Sequence, residues 1–538
     1  MAKYNTQADA KAASLAIHPA TGIYGKGPIG TKNSGKTAPT YEGHLGFERK
    51  DKSALFLLAA GSLGGEDKFY ETGNQSTARL VDLVRKIAVK DPEWIAAFLG
   101  WLRSEGNIRT ASVVGAVEAA DALVKNAIPG GRQIVASVLQ RADEPGEAMA
   151  YWLASRGRKV LMPKAIKRGI ADAAERLYTE FSFLKYDSDR SAVRFGDVIE
   201  MVRPDPSQGW RSALFRYAIE KRHNRGTEPG ENLAMIRRQA EWFRNAQATP
   251  LPIDGLLDAE HLRGAGLTWE DAMSALGSKV DKGKIWKAML PTLGYMALIR
   301  NLRNLDEAKV SDEDVAAAIA RIQDPEQVAK SRQLPYRFYS AFKAAPSLRW
   351  GHALEVALGL SLKNIPTLGG RTLILCDTSG SMTSTMSSKS QVTYQEVAGL
   401  FGIALGMKGE ADVFGWADRP WHFPMAKASS VLGNLKTYMG QNGNTGSGTN
   451  LDAAIRGTYE PGKYDRMVVI SDMQVMRYGS RSLIPTDIPC YFFDLGGYTS
   501  AAVETKDRVY ELGGLTDHTF KLITMLEAGD SGKWPWEN

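Results

Sequence analysis

One carboxylate and three hydroxyls fall within five residues at Asp377-Thr378-Ser379-Gly380-Ser381. They are hard oxygen donors, with no imidazole and no thiol cluster beside them. Such a set suits Mg²⁺, Mn²⁺ or Ca²⁺, with Mg²⁺ the first expectation. The residues just before, Leu373 to Cys376, make a continuous apolar run, the pattern of a buried strand. The donors then stand at the carboxyl end of a strand, the edge where open α/β sheets bind ligands. Alone, the pattern is equally that of a Ser-rich turn. Two later segments add to it. Ser447-Gly448-Thr449-Asn450-Leu451 opens an apolar-periodic helix and sets the Thr449 hydroxyl at a loop tip. Arg466 to Ile470, followed by Ser471 and Asp472, is a second buried-strand pattern ending in an acid.

Two strands with terminal acids and a threonine loop between them resemble the metal-ion-dependent adhesion site of von Willebrand factor A domains. The resemblance implies that Ser379, Ser381 and Thr449 bind a divalent cation directly. It implies that Asp377 and Asp472 act mostly through water, and that an open position is left for a partner's acidic oxygen. An enzymatic alternative, aspartyl-phosphate chemistry at Asp377, needs a second carboxylate two residues on, where Ser379 stands. No Lys or His stands nearby in sequence as an activator. The chain therefore reads as a binding protein, not an enzyme.

The elements around these donors alternate as an α/β Rossmann-like domain should. A helix is expected over about 391–407, strands over 411–416 and 488–494, a Gly/Asn/Ser loop over 441–448, and a last helix near 517–527. Asp494 also ends a strand and reads as structural. Ahead of this domain the chain is helix after helix. Ser76 is a plausible N-cap, followed by Leu80, Leu83, Val84, Ile87 and Ala88 on one face. Pro92 opens a helix with Trp94, Ile95, Phe98, Leu99 and Leu102 inside. Val113, Ala116, Val117, Ala120 and Val124 mark a third, and Ile134, Val135, Val138 and Leu139 a fourth. No strand is expected before residue 371. Short amphipathic helices in series suggest a HEAT-like solenoid. The organisation is thus an irregular arm over 1–50, a mainly α helical-repeat domain over 51–365, and the α/β domain over 366–538. A chain of 538 residues is long enough for this.

The arm holds a decoy. Gly30 to Thr37 fits the letters of a phosphate-binding P-loop, but no buried strand precedes it and Pro39 breaks a following helix. It reads as a basic loop. Cys376 and Cys490 lie inside strand-like runs and read as buried reduced thiols, which fits a reducing, cytoplasmic setting. No secretion signal and no apolar run of membrane-spanning length is seen. The net charge of +7 is uneven. Residues 366–538 carry 15 basic and 18 acidic residues, leaving 52 and 42 for residues 1–365. The positive charge belongs to the helical part, which permits a nucleic-acid partner.

Cations collect in the middle of that part. Arg158 and Lys159 precede Lys164, Lys167 and Arg168, the last three spaced for one helix face. Lys185, Arg190, Arg194 and Arg203 follow, with Phe181, Phe183 and Tyr186 interleaved. Any one of these is ordinarily a solvated face. Together they suit RNA, with cations for phosphates and rings for unpaired bases.

A long basic helical array followed by an A domain is similar to the Ro 60 kDa autoantigen family, of bacterial or phage type, whose helical part is the TROVE module. Phe69-Tyr70-Glu71-Thr72, Met162 to Arg168, Lys185-Tyr186, Met296 to Leu302 (with Arg300) and Leu334 to Arg337 carry the resemblance. It implies a monomeric ring of helices bridged by the A domain. Single-stranded 3′ ends of misfolded noncoding RNAs would enter the hole, and a small Y-like RNA would bind the basic outer surface. The RNA could tether an exoribonuclease, polynucleotide phosphorylase. Carried over by position, Lys185 and, after a one-residue insertion, Arg190 match the family's RNA-binding cations, and Arg203 would stand where the family has a histidine. Lys164, Lys167 and Arg168, in a stretch that resembles the RNA-contacting region, and Arg300 are further candidates for RNA contact. The acidic stretch Asp187 to Asp189 departs from the expected pattern. The alternative is an A-domain scaffold that binds a protein through its metal, without a specific RNA.

Overall fold

The computed structural model describes residues 37–39, 45–60, 73–363, 365–387, 390–441, 445–476, 483–498, 500–501, 503–504, 508–513, 520–527, 534 and 536. The P-loop-like stretch up to Lys36 and the segment Phe69 to Thr72 lie outside the described residues. The chain forms an extended helical-repeat region followed by a mixed α/β domain. It divides into two compact units. One comprises Ala88–Gly100 and Ser112–Gln327. The other comprises Trp101–Ala111, Val328–Asn538 and the described part of Pro19–Ile87.

The helices that matter below are α1 (Asp51–Ala60), α2 (Gly73–Lys90), α3 (Pro92–Ser104), α4 (Arg109–Lys125), α5 (Gly131–Val138), α6 (Glu144–Arg156), α7 (Lys164–Leu177), α8 (Glu180–Tyr186), α9 (Phe195–Val202) and α10 (Gly209–Arg222). Further helices run on to Leu348–Ser361. The apolar faces read from spacing are buried, from Leu80 to Ala88, Trp94 to Leu102 and Ile134 to Leu139. Val124 is the exception. It sits in the last turn of α4 and is exposed. Helix α2 begins at Gly73, so Ser76 lies inside it, buried, rather than capping it.

Glycine lets two helix pairs approach closely. A Cβ on Gly169 of α7 would lie 2.6 Å from Val135 Cβ and 2.7 Å from the Arg132 carbonyl of α5. A Cβ on Gly196 of α9 would lie 2.7 Å from the Ala218 carbonyl of α10. Charge is also buried here. Glu118 on α4 accepts from the Tyr151 hydroxyl at 2.6 Å and from Arg156 at 2.7 Å, and Arg156 reaches Asp121 at 3.0 Å. Arg156→Ala is therefore expected to destabilise this unit by about 3 kcal/mol, because the buried Glu118 carboxylate loses the Arg156 cation, while Asp121 keeps Lys125 at 2.8 Å. Urea denaturation checks this, and a loss under about 1 kcal/mol would contradict it.

In the second unit, strands β1 (Thr37–Pro39) and β2 (Leu45–Glu48) precede β3 (Arg371–Asp377), against the expectation of no strand before residue 371. Their hydrogen bonds explain the miss. β2 pairs with Ser500–Ala501, and a three-residue strand containing Pro39 has no local signature. The main sheet adds β4 (Glu410–Trp416), β5 (Pro420–Phe423), β6 (Arg466–Ser471), β7 (Cys490–Asp494) and β9 (Val509–Gly513), while β8 (Ser500–Ala501) belongs to the small sheet. The order of the main sheet is β5-β4-β3-β6-β7-β9, parallel except for β5. β3, β6 and β7 are almost wholly buried, which is why they read as continuous apolar runs. The chain leaves β3 towards β4 on one side and returns to β6 on the other. The crevice between β3 and β6 is thus the switch point of the sheet. Cys376 and Cys490 are free and buried. Among the described residues no helix is long and apolar enough to cross a membrane.

Candidate functional site

β3 and β6 run parallel, with Cys376 opposite Ile470, so Asp377 and the Ser471-Asp472 pair emerge side by side at the switch point. The Ser471 hydroxyl donates to Asp377 Oδ2 at 2.5 Å, and the Ser379 amide donates to Asp377 Oδ1 at 2.8 Å. The Ser379 and Ser381 hydroxyls are 3.4 Å apart. Thr378 turns away and donates to the Trp416 carbonyl at 2.9 Å. The Gly380 amide donates to the Ser447 carbonyl at 2.9 Å, which lays the first loop against the one carrying Thr449. Thr449 is fixed on its other side, its carbonyl accepting from the Met476 amide at 2.8 Å. Glycine is required in this second loop. Gly446 has φ +85°, and a Cβ there would meet the Asp418 carboxylate.

The structure thus brings Asp377, Ser379, Ser381, Thr449 and Asp472 to one sheet edge, all buried. Burial pushes the Asp377 carboxyl up to about 6. Asp472 is pushed up to about 7, by burial and then by the charge of Asp377, with the Gln474 amide and the Ser381 hydroxyl opposing. Among the described residues no lysine or arginine forms an ion pair with either acid. A buried acid pair without a counter-cation, ringed by hydroxyls, is a donor set that fits a hard divalent ion. Ser379, Ser381 and Thr449 would hold such an ion, with Asp377 and Asp472 supplying charge. Among the described residues no three His, Cys, Asp or Glu side chains gather as a metal-ligand cluster. The candidate set draws instead on hydroxyls.

The two raised carboxyls give stability a definite pH dependence. In the folded protein both acids hold protons above the ordinary carboxylate range, so the metal-free pair destabilises the fold at neutral and higher pH. That penalty is relieved as pH falls through about 7 and 6. A bound cation would replace those protons. Mg²⁺ is therefore expected to raise the melting temperature more at about pH 8 than at about pH 5.5. The gain would approach about 4 kcal/mol at a thousandfold excess over Kd. Equal shifts at both pH values would contradict this.

The cations of the helical unit separate into groups. Helix α7 presents Lys164 and Arg168 exposed and Lys167 half-buried. Arg168 lines a cleft of about 1010 Å³ together with Arg203, at the end of α9, and Arg216, on α10. Close packing of α5 on α7 and of α9 on α10 brings these residues to one place. Four of the five acids that line the cleft are engaged, and the fifth, Asp205, forms no ion pair among the described residues. Asp172 takes both ends of Arg132 at 2.7 and 2.8 Å, Glu200 pairs with His223 at 3.0 Å, and Glu220 pairs with Arg225 at 3.3 Å. Glu175 accepts from the Asp205 amide at 2.6 Å. Among the described residues Arg168, Arg203 and Arg216 form no ion pair.

Lys164, Lys167, Lys185, Arg190 and Arg300 do not line this cleft. Lys185 Nζ stands 5.4 Å from the Phe181 ring centre and 5.2 Å from that of Tyr186. Arg190 and Arg300 are exposed, Arg300 at the end of the helix Tyr295–Arg300. Arg194 is taken out of the cationic set. It is buried and paired with Asp187 and Asp189, and Asp187 also accepts from the Phe195 amide at 2.8 Å. The acidic stretch that departed from the expected pattern is therefore the partner of Arg194 and the start of α9. Phe183 is buried against Phe195 and Tyr217, so it is core rather than a stacking platform, while Phe181 is exposed. Sequence reasoning missed Arg216 and Ser471. Ser471 had a signal in its place beside Asp472, and Arg216 had none beyond lying on a helix.

Comparison with known proteins adds three findings. A family model described as TROVE domain matches residues 264–350. Telomerase protein component 1 of Mus musculus is 22% identical over 344 residues, and that of Rattus norvegicus is 22% identical over 337. Those alignments cover 56% and 54% of this chain but only 13% of each of those much longer proteins. The crystal structure of the Deinococcus radiodurans RO (RSR) protein superimposes with a TM-score of 0.57 at 18% identity, covering 86% of this chain and 96% of that one. The matched domain and the shared fold uphold the resemblance drawn from the sequence.

Proposed function

We propose, for a chain that carries a TROVE domain and has the fold of a Ro protein, that it binds structured noncoding RNA and acts in RNA quality control as a binding protein without catalysis. The observation that carries this reading is the cleft lined by Arg168, Arg203 and Arg216, where Asp172, Glu175, Glu200 and Glu220 are otherwise engaged and the three arginines outnumber the one remaining acid, Asp205. Unpaired guanidinium groups facing one concave surface suit phosphate oxygens, and neutralising phosphates releases counterions. Lys185 above the Phe181 and Tyr186 rings offers a second contact, with rings for unpaired bases. A small Y-like RNA on this surface, and single-stranded 3′ ends of misfolded RNAs as further ligands, are the finer form of the proposal. An exoribonuclease held through the RNA would follow from it.

The test is recovery of RNA with the protein purified from cells. The expected result is a discrete small RNA that falls by about tenfold or more when Lys185→Glu and Arg190→Glu are combined. Wild-type protein free of RNA would overturn the proposal. A second reading rests on the acid pair at the sheet edge. With Mg²⁺ bound there, an open position would take a carboxylate from a protein partner. Mg²⁺-dependent capture of a protein, abolished by Ser379→Ala and with no RNA recovered, would favour that reading instead.

A further inference from the structure

The connection from α6 to α7 holds an apolar tip in a field of positive charge. Residues 156–168 contain six Lys and Arg and no acid. Both ends of the connection are fixed. Arg156 stands 5.2 Å over the Trp152 ring and pairs with Glu118 and Asp121. The Trp152 indole donates to the Val160 carbonyl at 3.3 Å, and the Val160 amide closes a turn onto the Gly157 carbonyl at 3.3 Å. Gly157 takes φ +81° to allow that turn. Beyond the tip, Met162 is buried and Pro163 leads into α7. Between these anchors Val160 is 49% and Leu161 87% exposed. Arg158, Lys159 and Lys164 beside them are exposed as well.

Two adjacent aliphatic side chains held out on a braced loop serve no core. The charge around them selects a polyanion, and the only large apolar surfaces a polyanion such as RNA offers are the faces of its bases. Aliphatic wedges beside cations insert between base steps and partly unstack them. RNA is read where its bases are splayed from the stack. We infer that Val160 and Leu161 form a wedge that enters the junction between duplex and single strand in a bound RNA and opens the terminal pair, while Arg158, Lys159 and Lys164 hold the flanking phosphates. The inference rests on the RNA-binding reading above. The same helix that follows the tip carries Arg168 into the cleft, which favours RNA over an anionic membrane as the polyanion.

The experiment uses the full chain and a hairpin RNA with a 3′ single-stranded tail. A 2-aminopurine at the junction reports unstacking, and a dye on the tail reports binding by anisotropy. The wild type should bind and raise the 2-aminopurine fluorescence. Val160→Ser combined with Leu161→Ser should bind within about threefold of wild type, yet keep less than about a fifth of the fluorescence rise. Because both residues are exposed, thermal melting of this variant should match the wild type. An unchanged rise in the variant overturns the wedge and leaves RNA binding standing. Loss of binding and rise in equal proportion makes the tip a plain contact and overturns it too. A wild type that does not bind the RNA overturns the RNA reading and the wedge with it. Binding to vesicles containing phosphatidylserine, lost in the variant and without any fluorescence rise on RNA, assigns the tip to a lipid surface instead.

Discussion

Arg49→Ala should destabilise the α/β unit by about 3–5 kcal/mol. Arg49 follows β2 and is buried. Its guanidinium donates to Glu511 at 2.9 and 2.6 Å, to Asp494 at 2.8 Å, and to the Tyr498 carbonyl. Asp494 ends β7 and Glu511 lies on β9, so one cation holds two neighbouring strands. Burial raises the Asp494 carboxyl, the Arg49 charge lowers it, and the Glu511 charge raises it. Removing Arg49 leaves two acids buried beside each other, and their desolvation outweighs the amide bonds Asp494 receives from Gly496 and Gly497. The pH dependence has a definite sign. With Asp494 raised further in the variant, its folded form binds a proton more tightly than its unfolded form. The variant should recover stability as pH falls and lose it as pH rises. Arg49→Met together with Asp494→Asn and Glu511→Gln should restore much of the loss, since no charge is then left buried. Urea denaturation of the wild type, the single variant and the triple variant measures this. A single variant within about 1 kcal/mol of wild type would contradict it.

The second large effect is expected on RNA affinity. Converting Arg168, Arg203 and Arg216 together to glutamate replaces three unpaired cations of one cleft by three anions. Each phosphate that is no longer neutralised keeps its counterions, and each new carboxylate repels the RNA backbone. Affinity for a small structured RNA should fall by about 100-fold or more at low salt. The fold should survive, because among the described residues none of the three holds an ion pair. Gel-shift titration at a single low salt concentration reads the loss. A change under about threefold would move the RNA away from this cleft.

How much of this was legible follows from the range of each interaction. The sheet edge was legible because its signals are local. Four apolar residues run into Asp377, a similar run into Ser471 and Asp472, and a glycine-flanked Thr449 opens a helix. Parallel pairing of β3 with β6 then brings these ends together without further information from the sequence. The helices were legible for the same reason, since Leu80 to Ala88 repeats at the period of one buried face. The clamp at Arg49 was not legible. Its partners stand 445 and 462 residues away, and the arm that carries it has a composition without a period. The cationic surface was legible only as a set of candidates. Which cations remain available depends on which acids fold against them. Asp187 and Asp189 consume Arg194, whereas Asp172 and Glu200, in the cleft with Arg168 and Arg203, find other partners. The same dependence separates Phe183, which faces Phe195, from the exposed Phe181 two residues earlier on α8.

The central claim, that an arginine-lined cleft of the helical unit binds RNA through phosphates, is tested most directly by salt. Binding of a labelled small RNA would be measured across a range of KCl concentrations for wild type and for the triple Arg168→Glu, Arg203→Glu, Arg216→Glu variant. The account predicts a linear fall of log affinity with log salt for wild type. It predicts a slope shallower by about 2 in the variant, at about 0.7–0.9 for each phosphate the cleft no longer neutralises. An affinity that does not change with salt, or equal slopes in the two proteins, would contradict it.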